Sequence, residues 1–220
     1  MQARTPELPL RDRDEAGRLL AEHLAHLAGT HPVVLGIPRG GVAIAAVVAA
    51  GLDGDLDVIV ARKLGAPMYP ELAIGAVTAD GGRFLNLDVL SSLGIPDHYV
   101  EAETARQLKE AKARETRLRA GHPAVELAGR TVILCDDGLA TGATMRAAAR
   151  SVRERGAGRL IIAVPVGSRQ ACEALADEAD EVVCLAQPEP FGAVGAHYIH
   201  FEPVEDETVS RLLRQPAGSP

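Results

Sequence analysis

Five short runs in this 220-residue chain are apolar at nearly every position. They are PVVLGI (Pro32 to Ile37), LDVIVA (Leu56 to Ala61), TVILC (Thr131 to Cys135), RLIIAVPV (Arg159 to Val166) and EVVCL (Glu181 to Leu185). A strand with one wet face alternates apolar and polar residues. These runs do not alternate, so each predicts a strand covered on both faces. Helix-like segments separate most of them. Strand and helix in alternation predict an α/β fold, a parallel β-sheet flanked by helices. In such sheets ligands sit at the carboxyl ends of the strands.

The segments between the runs fill in the rest. Asp12 to Leu27 places Ala16, Leu19, Leu20, His23, Leu24 and Leu27 on one helical face. Val42 to Ala50 reads as a buried helix ending at Gly51, and Thr144 to Arg155, Arg169 to Ala176 and Glu205 to Leu213 read as further helices. Asp97 to Arg119 is long and strongly charged, with only Leu108, Ala111 and Leu118 as a thin apolar stripe, and reads as a solvated brace. LGAPMYPEL, Leu64 to Leu72, carries two prolines and a glycine and predicts a loop. AIGAVT and GRFLN flank Ala79-Asp80-Gly81-Gly82 and predict a hairpin. The last residues, QPAGSP at 215–220, predict a disordered tail. No repeat or linker divides the sequence, so residues 1–220 read as one domain.

Charge and cysteine usage narrow the class. The formal net charge is −7, which argues against a nucleic-acid partner. Cys135, Cys172 and Cys184 are far apart, odd in number and without zinc spacing, which predicts a reducing compartment. The stretch MQARTPELPLRDRDEAGRLL lacks the apolar centre of an export signal. The longest apolar run, Val42 to Ala50, is too short to cross a bilayer. A cytoplasmic protein is expected.

The chemistry concentrates in VILCDDGLATGATM, Val132 to Met145. An apolar strand ends in adjacent acids, Asp136 and Asp137, and runs into a Gly/Thr turn before a helix. Two carboxylates side by side repel each other and are costly to bury unpaired. The turn from Ala140 through Thr141, Gly142, Ala143 and Thr144 offers backbone N–H groups and hydroxyls to an anion at a helix start. Gly-Lys-Ser/Thr is absent, so this is not a Walker loop, and no dinucleotide fingerprint follows the first strand. Carboxylates beside an anion cradle suit a sugar phosphate, with hydroxyls on the acids and Mg²⁺ nearby.

An apolar strand, Asp-Asp and then Thr-Gly-x-Thr resembles the phosphoribosyl pyrophosphate signature of type I phosphoribosyltransferases, and DDGLATGATM is similar to the adenine-type form. The resemblance implies that Asp136 and Asp137 hold the ribose hydroxyls, with Mg²⁺ reaching them through the ligand. It implies that Ala140 to Thr144 hold the 5-phosphate. The hypoxanthine-guanine branch carries an acid just before Thr-Gly; here Ala140 stands there, which argues against a 6-oxopurine read in that manner.

Other segments take roles from the same resemblance. GIPRGG, Gly36 to Gly41, resembles the pyrophosphate loop, with an often cis peptide, and assigns Pro38, Arg39, Gly40 and Gly41 to pyrophosphate. The glycines there are expected to permit unusual torsions. Arg62 and Lys63, expected at the end of the second strand, resemble the family's Arg-Lys pair facing the leaving group. Leu64 to Leu72 becomes a flexible lid, and Glu71, its one acid, a candidate general acid/base. Residues about 188–204, with the N-terminal segment, become a small hood beside a core of about 30–187. Phe191, Tyr198 and Phe201 are its candidate base pocket. His197 and His200 lack a nearby acid or thiol cluster and are not assigned to a metal.

The implied activity is transfer of a phosphoribosyl group from phosphoribosyl pyrophosphate to a nitrogen nucleophile, a purine-like base, with homodimers usual in the family. A non-catalytic regulator binding the same ligand is the alternative. A phosphohydrolase using the acid pair for metal would need further strand-end carboxylates that the sequence lacks.

Overall fold

The computed structural model describes residues 6–214, and the expected tail at 215–220 lies outside them. In chain order, α1 (Arg13–His23) and a 3₁₀ turn (Ala25–Leu27) lead to β1 (Val33–Gly36), α2 (Gly40–Leu52), β2 (Asp55–Val58), β3 (Ala61–Gly65), β4 (Ala73–Thr78) and β5 (Arg83–Leu85). Then come α3 (Leu87–Leu93), α4 (Asp97–Arg119), β6 (Thr131–Cys135), α5 (Ala143–Glu154), β7 (Arg159–Val166), α6 (Arg169–Glu173) and β8 (Glu181–Ala186). A 3₁₀ turn (Val194–His197) and α7 (Asp206–Arg214) complete the described chain.

The main sheet has five parallel strands in the order β2-β1-β6-β7-β8. Its residues divide by pleat. Val34, Ile133, Cys135 and Ile161 face a core shared with Leu20 and Leu24 around α1 and with Ile44 and Val48 of α2. Their neighbours Val33, Leu35, Val132, Leu134 and Ile162 face the opposite core, with Met145, Ala148 and Val152 of α5. This is why the runs show no alternation: both phases of the pleat are buried, each large side chain contributing about 1.5–3 kcal/mol. Among the described residues no helix is long and apolar enough to cross a membrane.

A second sheet, β3-β4-β5, is antiparallel. It contains the expected hairpin, and it corrects the reading of LDVIVA as one strand. The parallel strand stops at Val58, and Ala61 to Gly65 pair with β4. The cause is pairing. The neighbour β1 ends at Gly36, and the Ile59 N–H takes the last carbonyl there, at 3.1 Å. Beyond that point only β4 offers a ladder. Arg62 and Lys63 therefore lie inside a strand of the small sheet, not at the end of the parallel one, and the loop shrinks to residues 66–72.

The helix α3 was not expected. It is short, but Asn86 caps it by accepting from Val89 N–H, and Gly94 closes it with a left-handed φ of 58°. The charged helix α4 packs on β3, β4 and α7, burying Val100, Ala111 and Leu118. It braces the small sheet.

Candidate ligand-binding site

The strand β6 delivers Asp136 and Asp137 to the edge where β1 turns into α2. The backbones there approach closely. A β-carbon on Gly41 would lie 2.6 Å from the Cys135 carbonyl and 2.9 Å from Asp136 Cα, and one on Gly40 would overlap Asp137 Oδ2. Neither glycine has positive φ, whereas Gly142 in the 140–144 turn does, at 76°. The Gly40-Gly41 pair thus serves close approach, which corrects the expectation of unusual torsions; that reason holds at Gly142. The Pro38–Arg39 peptide is cis.

A cavity of about 570 Å³ opens at this junction. Pro38, Arg39 and Gly40 form one wall, Asp136, Asp137 and Thr144 another, and Arg13 and Phe201 a third. The structure therefore brings together the acid pair, the β1–α2 loop and the helical end of the 140–144 turn. The rest of that turn, Ala140, Thr141 and Ala143, lines an adjoining cavity of about 460 Å³ with Lys63, Glu71 and Arg146. The turn is braced from behind. Leu139 N–H donates to the Val166 carbonyl at 2.9 Å, and the Ser168 hydroxyl donates to the Ala140 carbonyl at 2.8 Å. The first N–H groups of α5 have no partner within the helix, which leaves them free for an anion.

The acids differ in environment. Asp136 lines the cavity, and one of its carboxyl oxygens accepts from Asp137 N–H at 2.9 Å. Burial, then the adjacent Asp137 charge, pushes its carboxyl well above the usual carboxylate range. Asp137 meets Arg13, whose Nε and Nη2 both donate to Oδ2, at 3.0 and 2.8 Å. The Tyr198 hydroxyl donates to the Asp137 main-chain carbonyl at 2.7 Å.

A divalent cation fits this donor set in one manner only. Among the described residues no group of three or more His, Cys, Asp and Glu converges. Two hard carboxylates suit Mg²⁺ that brings water and phosphate oxygens with it, rather than a cage made by the chain.

The remaining nominated residues are dispersed. Arg62 Nε donates to Gln107 Oε1 at 2.9 Å in a separate cavity of about 360 Å³ between β3 and α4. Lys63 and Glu71 pair with each other at 2.9 Å, and the Lys63 ammonium, by hydrogen bond and charge, holds the Glu71 carboxyl below its ordinary value. Of the three aromatics, only Phe201 lines the acid-pair cavity. Tyr198 is buried and stacked on Phe201, with ring centroids 4.9 Å apart, and Phe191 packs on the core. The segment carrying them joins the N-terminal stretch: Leu10 N–H donates to the His197 carbonyl at 2.8 Å and Ile199 N–H to the Leu10 carbonyl at 2.7 Å. Arg13 was missed from sequence, because its partner lies 124 positions away and no spacing marks it.

Residues 12–198 match the family model described as a phosphoribosyl transferase domain. Two Mycobacterium tuberculosis proteins, from strains H37Rv and CDC 1551 / Oshkosh, are 46% identical over 202 residues; each carries a provisional phosphoribosyl transferase name. The match covers 92% of this chain but 46% of each of theirs, so the chain spans about half the length of the curated relatives it matches. The crystal structure of TT1426 from Thermus thermophilus superposes with a TM-score of 0.81 at 47% identity, covering 94% of this chain and 98% of that one.

Proposed function

The chain belongs to the phosphoribosyl transferase domain family, and from that premise we propose that it moves the 5-phosphoribosyl group of phosphoribosyl pyrophosphate to a nitrogen nucleophile, a purine-like base, releasing pyrophosphate. One observation carries this reading: the acid pair, Pro38, Arg39 and Gly40 of the β1–α2 junction, and Thr144 at the start of α5 share one cavity. Carboxylates at its centre suit the hydroxyls of a pentose. Anion-binding turns on either side suit a phosphate at each end of that pentose.

The roles follow from charge. Asp136 and Asp137 accept hydrogen bonds from the ribose hydroxyls, and the Ala140–Thr144 turn takes the 5-phosphate. Pro38 to Gly41, with Arg39, take the pyrophosphate, and Arg62 and Lys63 must turn toward it from the small sheet, since each lines another cavity. Asp136 and Asp137 would hold Mg²⁺ through the ligand and water, and the cation would supply charge that offsets the diphosphate. The acceptor nitrogen bonds to C1 as the C1–O bond breaks, and that electron pair leaves with pyrophosphate. Positive charge growing on the ribose is favoured by the fixed carboxylates.

Glu71 is ionised beside Lys63, so it suits a base that takes the acceptor's proton rather than an acid that supplies one. The 66–72 turn bearing it presents Met68 and Tyr69, 81% and 66% exposed, which supports its role as a lid that closes over ligand and excludes water. Residues 188–204 with the N-terminal segment act as the hood. The reading takes the protein as a cytoplasmic homodimer.

The test is calorimetry with phosphoribosyl pyrophosphate and Mg²⁺, followed by a nucleobase screen that reads pyrophosphate release. Donor binding that Asp136→Asn/Asp137→Asn abolishes, together with turnover of one base, is the expected result. Undiminished binding by the double variant overturns the site. Binding without turnover of any base favours a regulator.

A further inference from the structure

Resting on that reading, we infer that Arg13 is a positioning residue for the sugar-binding carboxylate: it clamps one oxygen of Asp137 and so aims the other into the cavity. Arg13 occupies the first turn of α1, whose start is fixed by Asp12 accepting from Glu15 N–H at 2.8 Å. Three of its nitrogens are committed. Nε and Nη2 donate to the same oxygen, Asp137 Oδ2, and Nη1 donates to the Glu202 carbonyl at 2.9 Å. The guanidinium carbon lies 4.0 Å from the centre of the Phe201 ring.

These contacts close a circuit. Arg13 holds the Asp137 side chain and stacks on Phe201. Phe201 stacks on Tyr198, and the Tyr198 hydroxyl holds the Asp137 main chain. Asp137 is thus gripped at both its carboxylate and its carbonyl by residues from the two ends of the described chain. The side chains of the pair are only 12% and 17% exposed, so water screens the contact weakly.

The physical need is plain. A carboxylate next to Asp136 is repelled by it whenever both are charged, and a free side chain would rotate away. Both Arg13 bonds fall on Oδ2, so Arg13 itself leaves Oδ1 to the pentose. Planar arginine meets that oxygen with two N–H groups at a fixed angle. Lysine can restore the charge but not the fork. Arg13 lines the cavity but belongs to none of the nominated sugar, phosphate or pyrophosphate segments.

The test is calorimetry of donor binding, with Mg²⁺ and no acceptor, on the parent protein, Arg13→Gln and Arg13→Lys, with thermal melting to verify that each is folded. Donor affinity is expected to fall about tenfold or more in Arg13→Gln and to recover in part in Arg13→Lys. An affinity within twofold of the parent in folded Arg13→Gln overturns the inference. A tighter affinity also overturns it, because Arg13 would then obstruct the sugar rather than prepare its place. If Arg13→Gln does not fold, Arg13→Lys decides: weaker binding with an unchanged melting temperature supports the fork, and unchanged binding overturns it. A parent protein that takes up no donor refutes the proposed function itself, a result distinct from any of these.

Discussion

Gly40 lies against the carboxylate of Asp137, where a β-carbon on the glycine would overlap Oδ2 and stand 3.0 Å from Arg13 Nε. Next to it, Gly41 lies against the backbone of Cys135 and Asp136. The two glycines of PRGG are the floor on which the acid pair rests, so the motifs at Gly36–Gly41 and Val132–Met145 are halves of one packing arrangement.

Gly40→Ala therefore forces Asp137 off its position and breaks the Arg13 fork. The expected cost is about 1–3 kcal/mol of stability, as for other overpacked sites, with loss of donor binding. Deleting the oxygen relieves the overlap, so the same change costs less stability in an Asp137→Ala background. Urea denaturation of the two single variants and the double variant measures that coupling. Strict additivity would mean that the two residues do not compete for space.

Tyr198 supplies a hydroxyl to Asp137 as well as a ring to Phe201. Tyr198→Phe keeps the ring against Phe201 but leaves the Asp137 carbonyl without its 2.7 Å donor. About 1–2 kcal/mol of stability should go. Urea midpoints of the parent and variant check this, and equal midpoints would show that water replaces the hydroxyl at no cost.

What was legible in the sequence follows from how local each signal is. The strands Thr131–Cys135 and Arg159–Val166 and the helix Asp97–Arg119 have the bounds expected from the residues, because burial of both pleat faces or unbroken helical propensity writes itself into consecutive positions. The break between Val58 and Ala61 was not legible. Val58 to Ala61 stays apolar across it, and the cause is the length of another strand, β1. In the site, Asp136, Asp137 and the glycines announced themselves by type and order. Arg13 looked like any charged residue in a helix start. Nothing within 100 positions of it says that its charge is spoken for. The Tyr198 hydroxyl bond to Asp137 was likewise hidden, because an aromatic residue type does not reveal which partner its hydroxyl finds.

Thr104 on α4 is an unforced cost in the brace. Its hydroxyl oxygen is buried and has no hydrogen-bond partner among the described residues. Thr104→Val replaces the hydroxyl by a methyl of similar shape and keeps the branching at the β-carbon. Removing an unsatisfied buried group should stabilise the fold by about 1 kcal/mol. A rise in melting temperature checks it, and a fall would reveal a partner, such as a bound water, for the hydroxyl.

Asp80 gives the fold a definite acid sensitivity. It sits at the β4–β5 turn and accepts from the hydroxyls of Ser151 on α5 and Thr78, each at 2.5 Å. Burial alone would raise its carboxyl, but these bonds, with the Gly82 N–H and the Arg155 charge, leave it below the ordinary 3.8. A carboxyl lowered on folding binds its proton more weakly in the folded state than in the unfolded chain. Its contribution is therefore complete above the unfolded value and disappears as pH falls through the folded one. The residue is exposed as a whole while its carboxyl is partly covered, so water and salt screen part of the effect. Asp80→Asn should cost about 1 kcal/mol at neutral pH, mainly through the two hydroxyl bonds. That difference should hold down to about pH 5 and shrink below about pH 4, where the parent carboxylate is protonated as well. Urea denaturation of both proteins across this range tests the sign: a difference that widens toward acid would mean that folding raises the carboxyl instead, with burial outweighing the hydroxyls of Thr78 and Ser151.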